Sequence, residues 1–165
     1  LAAVRDYVPL YAVIAHRGST YWTPEETESA WRWAREMGVD YLESDLQCSK
    51  DGVIIANHDD HLKRTTNIDK LFGSGIPTTR IQFYESLGFS HDDAQEQYQR
   101  DQASFKPYHI QSYYYAELLM LDAGSWFNTA MPALARDSYT ASRNGSFADG
   151  HLHYSTGQYV SMMWF

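Results

Sequence analysis

Two short extended segments, residues 10–15 and 39–47, flank one stretch of helical periodicity, and this order constrains the fold more than any other feature. Leu10-Tyr11-Ala12-Val13-Ile14-Ala15 is an apolar run stopped by Gly18, the pattern of a buried strand that delivers His16 and Arg17 at its C-terminal end. Thr23-Pro24-Glu25-Glu26 then offers a threonine N-cap, a proline at the first helical position and a glutamate in capping-box position. Ala30, Trp33, Ala34 and Met37 follow at helical spacing as one apolar face, and Gly38 is placed to end the helix. Residues 39–47 alternate, with Tyr41, Glu43, Asp45 and Gln47 on one face and Leu42, Ser44 and Leu46 on the other. Strand, helix and strand in that order predict a parallel α/β unit.

The turn after the second strand contains Lys50-Asp51-Gly52-Val53. Asp-Gly favours a two-residue hairpin turn, and pairing Lys50 with Val53 sets Asp45 opposite His58. Directly opposed residues have Cβ atoms about 4.5–5.5 Å apart, so the carboxylate and the imidazole are expected on one face. Residues 68–112 are rich in Gln, Asp, Ser and Tyr and broken by Gly73, Gly75, Pro77, Gly88 and Pro107, which reads as an irregular insertion with one short helix around residues 92–100. Residues 115–121 look helical again, stopped by Gly124, and the last forty residues show no clear period.

Composition narrows the class. With 165 residues, 44% hydrophobic and 15% aromatic, the chain has the apolar content of one globular domain. Its net charge of -8 repels phosphate backbones and no basic cluster offsets it, so a nucleic-acid partner is not expected. Cys48 is the single cysteine, which excludes an internal disulfide and a cysteine-based metal cage. No apolar run approaches the roughly 20 residues of a membrane span. The chain begins at Leu1 rather than Met, and an exported protein trimmed of its signal explains that start, so a periplasmic or extracellular setting is expected over a cytoplasmic one.

Phosphodiester hydrolysis needs charge neutralisation on the non-bridging oxygens, a base for the attacking hydroxyl or water, and an acid for the leaving alkoxide. Glu43 and Asp45, two apart on a strand, suit a hard cation such as Mg²⁺ or Ca²⁺. Arg17 has the planar fork that fits phosphate oxygens. His16 and His58 are imidazoles able to serve as base and acid near neutral pH. An acidic strand pair is most often a solvated face; convergence at the C-terminal ends of α/β strands is what favours a site. His151 and His153, alternating around Leu152, read as a polar strand or loop, and Tyr113-Tyr114-Tyr115 as packing beneath a loop. Asn144-Gly145-Ser146 matches a glycosylation acceptor pattern that is common by chance, and Cys48 reads as a small packed side chain.

Ile14-Ala15-His16-Arg17-Gly18, Pro24-Glu25-Glu26-Thr27, Leu42-Glu43-Ser44-Asp45, Ser49-Lys50-Asp51-Gly52, Asn57-His58-Asp59 and Leu62-Lys63-Arg64-Thr65-Thr66 occur in an order and spacing that resembles the glycerophosphodiester phosphodiesterase family. The likeness covers residues 12–67 and resumes at Glu117-Leu118 and Leu121-Asp122-Ala123-Gly124-Ser125-Trp126-Phe127. It implies a (β/α)₈ TIM-barrel fold, a small glycerophosphodiester as substrate, His16 and His58 as the acid-base pair, Arg17 on the phosphate, and a divalent cation, Mg²⁺ or Ca²⁺, on Glu43 and Asp45. The products would be glycerol phosphate and an alcohol. Attack by the neighbouring glycerol hydroxyl, through a cyclic phosphate, and direct attack by water both stay open.

Three departures from the family pattern stand out. Glu26 occupies a place where the family usually has asparagine. Residues 68–112 are longer than in short members, as expected of an inserted cap over the pocket. The family's later glutamate and lysine have no counterpart, and a complete barrel takes about 250 residues. Residues 1–165 therefore read as one phosphodiesterase domain holding an N-terminal portion of the barrel, expected to bind its cation weakly. A sphingomyelinase-D-like phospholipase and a non-catalytic phosphate-binding module are the rival readings.

Overall fold

The computed structural model describes residues 10–140, 142 and 144, together with the strand backbones at 146–148, 151–153 and 159–160. Strand β1 (Ile14–Ala15), helix α1 (Glu28–Glu36) and strand β2 (Tyr41–Leu42) form the parallel unit that the sequence predicts, with Ile14 opposite Tyr41 and Ala15 opposite Leu42. Strand β1 is shorter than the apolar run and not buried as expected: Leu10, Tyr11, Val13 and Ile14 are exposed, and only Ala15 is buried. A five-stranded antiparallel sheet continues from it: β3 (Leu46–Cys48), β4 (Ile54–Ala56), β5 (Ser146–Ala148), β6 (His151–His153) and β7 (Tyr159–Val160), in that spatial order. The architecture is α/β, and among the described residues one parallel strand pair and no closed barrel is formed.

The single strand expected over residues 39–47 is two. The Glu43 N–H donates to the Ala15 carbonyl at 3.0 Å, but the Asp45 N–H turns to the Glu26 carboxylate at 2.8 Å, so the chain leaves β1 at Ser44 and restarts as β3. The helix also starts later than the Thr23 capping pattern implies. Glu26 sits in the left-handed region at φ 57, which no helix continues through, and Thr27 becomes the N-cap residue. Gly38, at φ 77, ends the helix as expected. Its inward face is Ala30, Trp31 and Ala34, whereas Trp33 and Met37, expected inside, are 40% and 58% exposed. They border an open apolar groove with Trp22 and residues 133–136.

Gly18 fits the turn after β1 for two reasons. Its φ is +85, and a Cβ there would stand 2.5 Å from the Ala30 Cβ, so the turn packs on α1 only without a side chain.

The hairpin joining β3 and β4 corrects the expected register. Ser49 pairs with Val53 across a three-residue loop, with Gly52 at φ 85, a Gly52 N–H bond to the Ser49 carbonyl and the Lys50 N–H donated to the Tyr113 carbonyl. Asp51 holds this loop open by accepting from the Ser49 hydroxyl at 2.7 Å and from the Tyr115 N–H at 2.9 Å. Leu46 consequently faces Ala56, and the residue opposite Asp45 is Asn57, whose N–H donates to the Asp45 carbonyl, rather than His58.

Residues 68–112 are more regular than the breakers suggest. They hold α2 (Ile68–Leu71), α3 (Arg80–Ser86), α4 (His91–Ser104) and a 3₁₀ turn at Ile110–Ser112. Helix α4 is capped by Ser90, which accepts the Asp93 N–H, and buries only Ala94 and Asp101, so it shows no apolar stripe. Two short helices follow, α5 (Tyr115–Leu118) and α6 (Ser125–Ala130). The main apolar cluster joins Ile55 of β4 to Leu62, Ile68, Ile110, Tyr113, Leu118 and Leu121, which locks residues 68–112 and the helix after them onto the hairpin. Tyr113 is fully buried and its hydroxyl accepts the Tyr108 N–H, in keeping with packing rather than display.

Candidate active site

The site grows from the end of β1. His16 follows the strand directly and is exposed, and Arg17 takes φ 55. A non-glycine residue in that region is uncommon and costs of order 1–3 kcal/mol, so the surroundings must hold it. Two contacts do so. The Arg17 N–H donates to Glu43 Oε2 at 2.9 Å, and its carbonyl accepts the Glu26 N–H at 3.2 Å. The turn thereby positions His16 beside the break between β2 and β3.

One donor atom each from His16, Glu43 and Asp45 lies within 4.8 Å of the others. Asp45 Oδ2 is buried without a hydrogen bond; its neighbour is Arg17 Nε at 3.0 Å, an ion pair whose geometry is too oblique for a hydrogen bond. A buried carboxylate oxygen that lacks a hydrogen bond, next to a second carboxylate and an imidazole, is a donor set that a divalent cation fits.

Around this cluster runs a chain of charges. Arg17 approaches Glu25 at 3.5 Å, and Glu25 takes a two-pronged bond from Arg64 at 2.7 and 3.1 Å. Arg64 Nε also donates to Asp59 Oδ2 at 2.6 Å, and the other Asp59 oxygen meets His58 Nδ1 at 2.6 Å. The bond from Arg64 holds the Asp59 carboxyl below the usual carboxylate range. An ionised Asp59 accepts from His58 Nδ1–H, which leaves Nε2 outside this pair. His58 and Asp45 are thus linked through Asp59, Arg64, Glu25 and Arg17 rather than by facing each other across the hairpin. Asn57 supports the loop from within, buried and donating from Nδ2 to the Asp59 carbonyl at 2.5 Å. Asn144 donates its own amide to the Ala56 carbonyl at 2.8 Å and to Asn57 Oδ1 at 3.5 Å.

A match to the model of the glycerophosphoryl diester phosphodiesterase family extends over residues 16–152. The chain belongs to this family. Among curated relatives, a glycerophosphodiester phosphodiesterase of Bacillus subtilis is 32% identical over 126 residues, and a human glycerophosphoinositol inositolphosphodiesterase is 30% identical over 128. The alignments take in 76% and 78% of this chain but only 30% and 18% of those proteins. Of solved structures, a phosphodiesterase from Oleispira antarctica, crystallised with the product sn-glycerol-3-phosphate, matches with a TM-score of 0.51 at 26% identity over 84% of this chain and 36% of its own. A glycerophosphodiester phosphodiesterase from Agrobacterium tumefaciens shares the fold, with a TM-score of 0.53 at 23% identity, over 84% and 40%.

Glu26, the residue expected to depart from the family pattern, lies in the interior beside this cluster. Its carboxyl is 1% exposed and accepts from the Asp45 N–H at 2.8 Å and the Ser44 hydroxyl at 2.9 Å. Burial pushes it from 4.5 up to about 7, with the charges of Asp45 and Glu43 adding to the rise against those hydrogen bonds. Glu26 therefore keeps its proton in the folded chain at pH values where the unfolded chain has lost it. Its contribution to stability is complete below about 4.5 and is lost as pH rises through about 7. A Glu26→Gln chain has no proton to lose, and Ser44 can turn its hydroxyl to accept from the new amide. Melts followed by circular dichroism should show this variant gaining on the wild type between about pH 4.5 and pH 8, by roughly 3 kcal/mol. A pH-independent difference between the two would show that Glu26 is ionised throughout.

Two further carboxylates, Asp59 and Asp122, are engaged away from the Glu43–Asp45 pair. Asp59 serves Arg64 and His58, and Asp122 caps α6 through the Gly124 and Ser125 N–H groups. Glu25 and Arg64 are the participants that the residue-by-residue reading missed. They lie 39 positions apart, and their only sequence signal was membership of the recognised motifs.

Proposed function

We propose that this chain carries the N-terminal part of a (β/α)₈ barrel whose site hydrolyses glycerophosphodiesters to glycerol phosphate and an alcohol, with a divalent cation and two histidines. The observation that supports this reading most is the convergence of His16, Glu43 and Asp45 within 4.8 Å beside Arg17. Mg²⁺ or Ca²⁺ held by Glu43 and Asp45 would neutralise charge on the non-bridging oxygens. Arg17 contributes a second positive group whose fork can turn from Asp45 to a phosphate oxygen. His16, exposed at the rim, is placed to take the proton of the attacking hydroxyl or water. His58, held through Nδ1–H by Asp59, acts in its doubly protonated imidazolium form and gives the Nε2 proton to the departing alkoxide. Asp59 acts on the reaction only through His58 and is a positioning residue. The small-molecule substrate class is that of the family and of the glycerophosphodiester phosphodiesterases this chain is similar to.

Calorimetric titration tests the cation site. Mg²⁺ and Ca²⁺ should bind the wild-type chain weakly, because two carboxylates supply few of the six or more oxygens these ions take. Asp45→Asn should abolish that heat. Binding of equal strength in the variant would remove Glu43 and Asp45 from the site.

A further inference from the structure

A second cluster of ligating side chains lies outside this site. His61 and His109 face each other in an isolated antiparallel bridge. The Leu62 N–H donates to the Tyr108 carbonyl at 2.9 Å and the Ile110 N–H to the Asp60 carbonyl at 3.0 Å. These bonds flank the histidine pair without joining its own backbone, the arrangement in which opposed side chains of an antiparallel ladder come closest. The two imidazole centroids are 4.0 Å apart with planes at 57°. Asp60 Oδ2 stands 3.6 Å from His109 Nδ1, and one donor atom from each of the three residues lies within 4.8 Å of the others.

We propose that Asp60, His61 and His109 form a second cation site, for a borderline divalent transition-metal ion of the Zn²⁺ type. The donor chemistry selects that class. Two imidazoles and one carboxylate suit Zn²⁺, Ni²⁺ or Cu²⁺, whereas Mg²⁺ and Ca²⁺ prefer oxygens alone. Three protein ligands and one water complete a tetrahedral shell. Donors in such a shell lie roughly 3.4 Å apart, given metal–ligand lengths near 2.0–2.1 Å. Asp60 and His61 are exposed, so their side chains are not fixed by core packing.

The backbone beneath is already fixed. Leu62 and Ile110, on either side of the pair, are buried core residues. Tyr108, at φ 66, gives its N–H to the Tyr113 hydroxyl and its own hydroxyl to Asp69 at 2.7 Å. Folding thus brings the histidines together before any ion arrives, and little ordering is left for binding to impose. The ion would clip the insertion to the loop after β4, the loop that also carries His58.

The experiment is a calorimetric titration of the chain with Zn²⁺ alone, in a Glu43→Gln/Asp45→Asn background that disables the catalytic cation site. One Zn²⁺ per chain should still bind. Adding His61→Ala or His109→Ala should weaken it by at least the roughly 10–100-fold that loss of a second-shell partner costs. His61 is exposed, so its variant should melt like the parent, and the loss then reports on ligation rather than folding. The visible spectrum of bound Co²⁺ should lose its bands in the same variants. In the wild-type chain the uptake lost on His61→Ala should equal that seen in the double variant. Zn²⁺ binding that vanishes in the Glu43→Gln/Asp45→Asn chain, or that is unmoved by both histidine changes, would overturn the proposal.

Discussion

His16→Ala and His58→Ala are each expected to lower turnover of glycerophosphocholine by roughly 10²–10⁴-fold, the range that general acid-base groups contribute. The loss should fall on kcat more than on KM, because Arg17 and the cation would still bind the phosphate. The two substitutions differ in a second way. His58 is tethered to Asp59 at 2.6 Å, so Asp59→Asn should reproduce part of the His58 defect by releasing the ring, while leaving His16 as it is. His91 is the matched control. It sits exposed on α4, paired with Glu85, and His91→Ala should turn over at the wild-type rate. Comparable losses at His91 and His58, or a mild effect at His16, would remove the histidine pair from the chemistry.

The largest effect on stability is expected at Arg80. This side chain is 1% exposed, donates to both Glu117 oxygens at 2.9 and 2.7 Å, and reaches Asp101 at 3.0 Å and the Ser112 carbonyl at 2.8 Å. Asp101 is shared further, with Lys50 at 3.1 Å and with the Tyr84 hydroxyl. The guanidinium faces both oxygens of Glu117 and binds α3 to α4, to α5 and, through Asp101 and Lys50, to the β3–β4 hairpin. Arg80→Met keeps most of the volume but leaves two buried carboxylates short of their partner. Breaking a buried pair in this way costs about 3–5 kcal/mol, because an uncompensated charge remains in a poorly solvated place. Urea unfolding should show a loss of that size. A midpoint within error of the wild type would mean the network is solvated and the insertion is held by its apolar contacts alone.

What the sequence disclosed of the site was what local pattern encodes. A short apolar run ending in glycine placed His16 and Arg17 at the end of β1, whereas Glu43 and Asp45 come together across the break at Ser44 rather than along one alternating strand. Where side chains from distant segments decide the backbone, local pattern failed. The Asp-Gly turn was read one residue short because Asp51 accepts bonds from Ser49 and from Tyr115, and the second of these lies far along the chain. That slip moved the partner of Asp45 from His58 to Asn57. The capping pattern at Thr23 was local and well formed, yet Glu26 was drawn out of helical conformation to serve Asp45 and Ser44. The insertion read as irregular because it is anchored by a buried arginine and by scattered apolar residues rather than by periodic faces. The Glu25–Arg64 pair has no local signature at all.

The central claim, a cation-dependent phosphodiesterase site in this chain, is tested most directly by following glycerol phosphate released from glycerophosphocholine, with Mg²⁺ or Ca²⁺ and after chelation. Slow release that requires the cation, stops on chelation, and disappears in Asp45→Asn is the predicted result. Release that continues undiminished in chelator or in Asp45→Asn would contradict it, and so would no release at any cation concentration, which would leave the chain a phosphate-binding module.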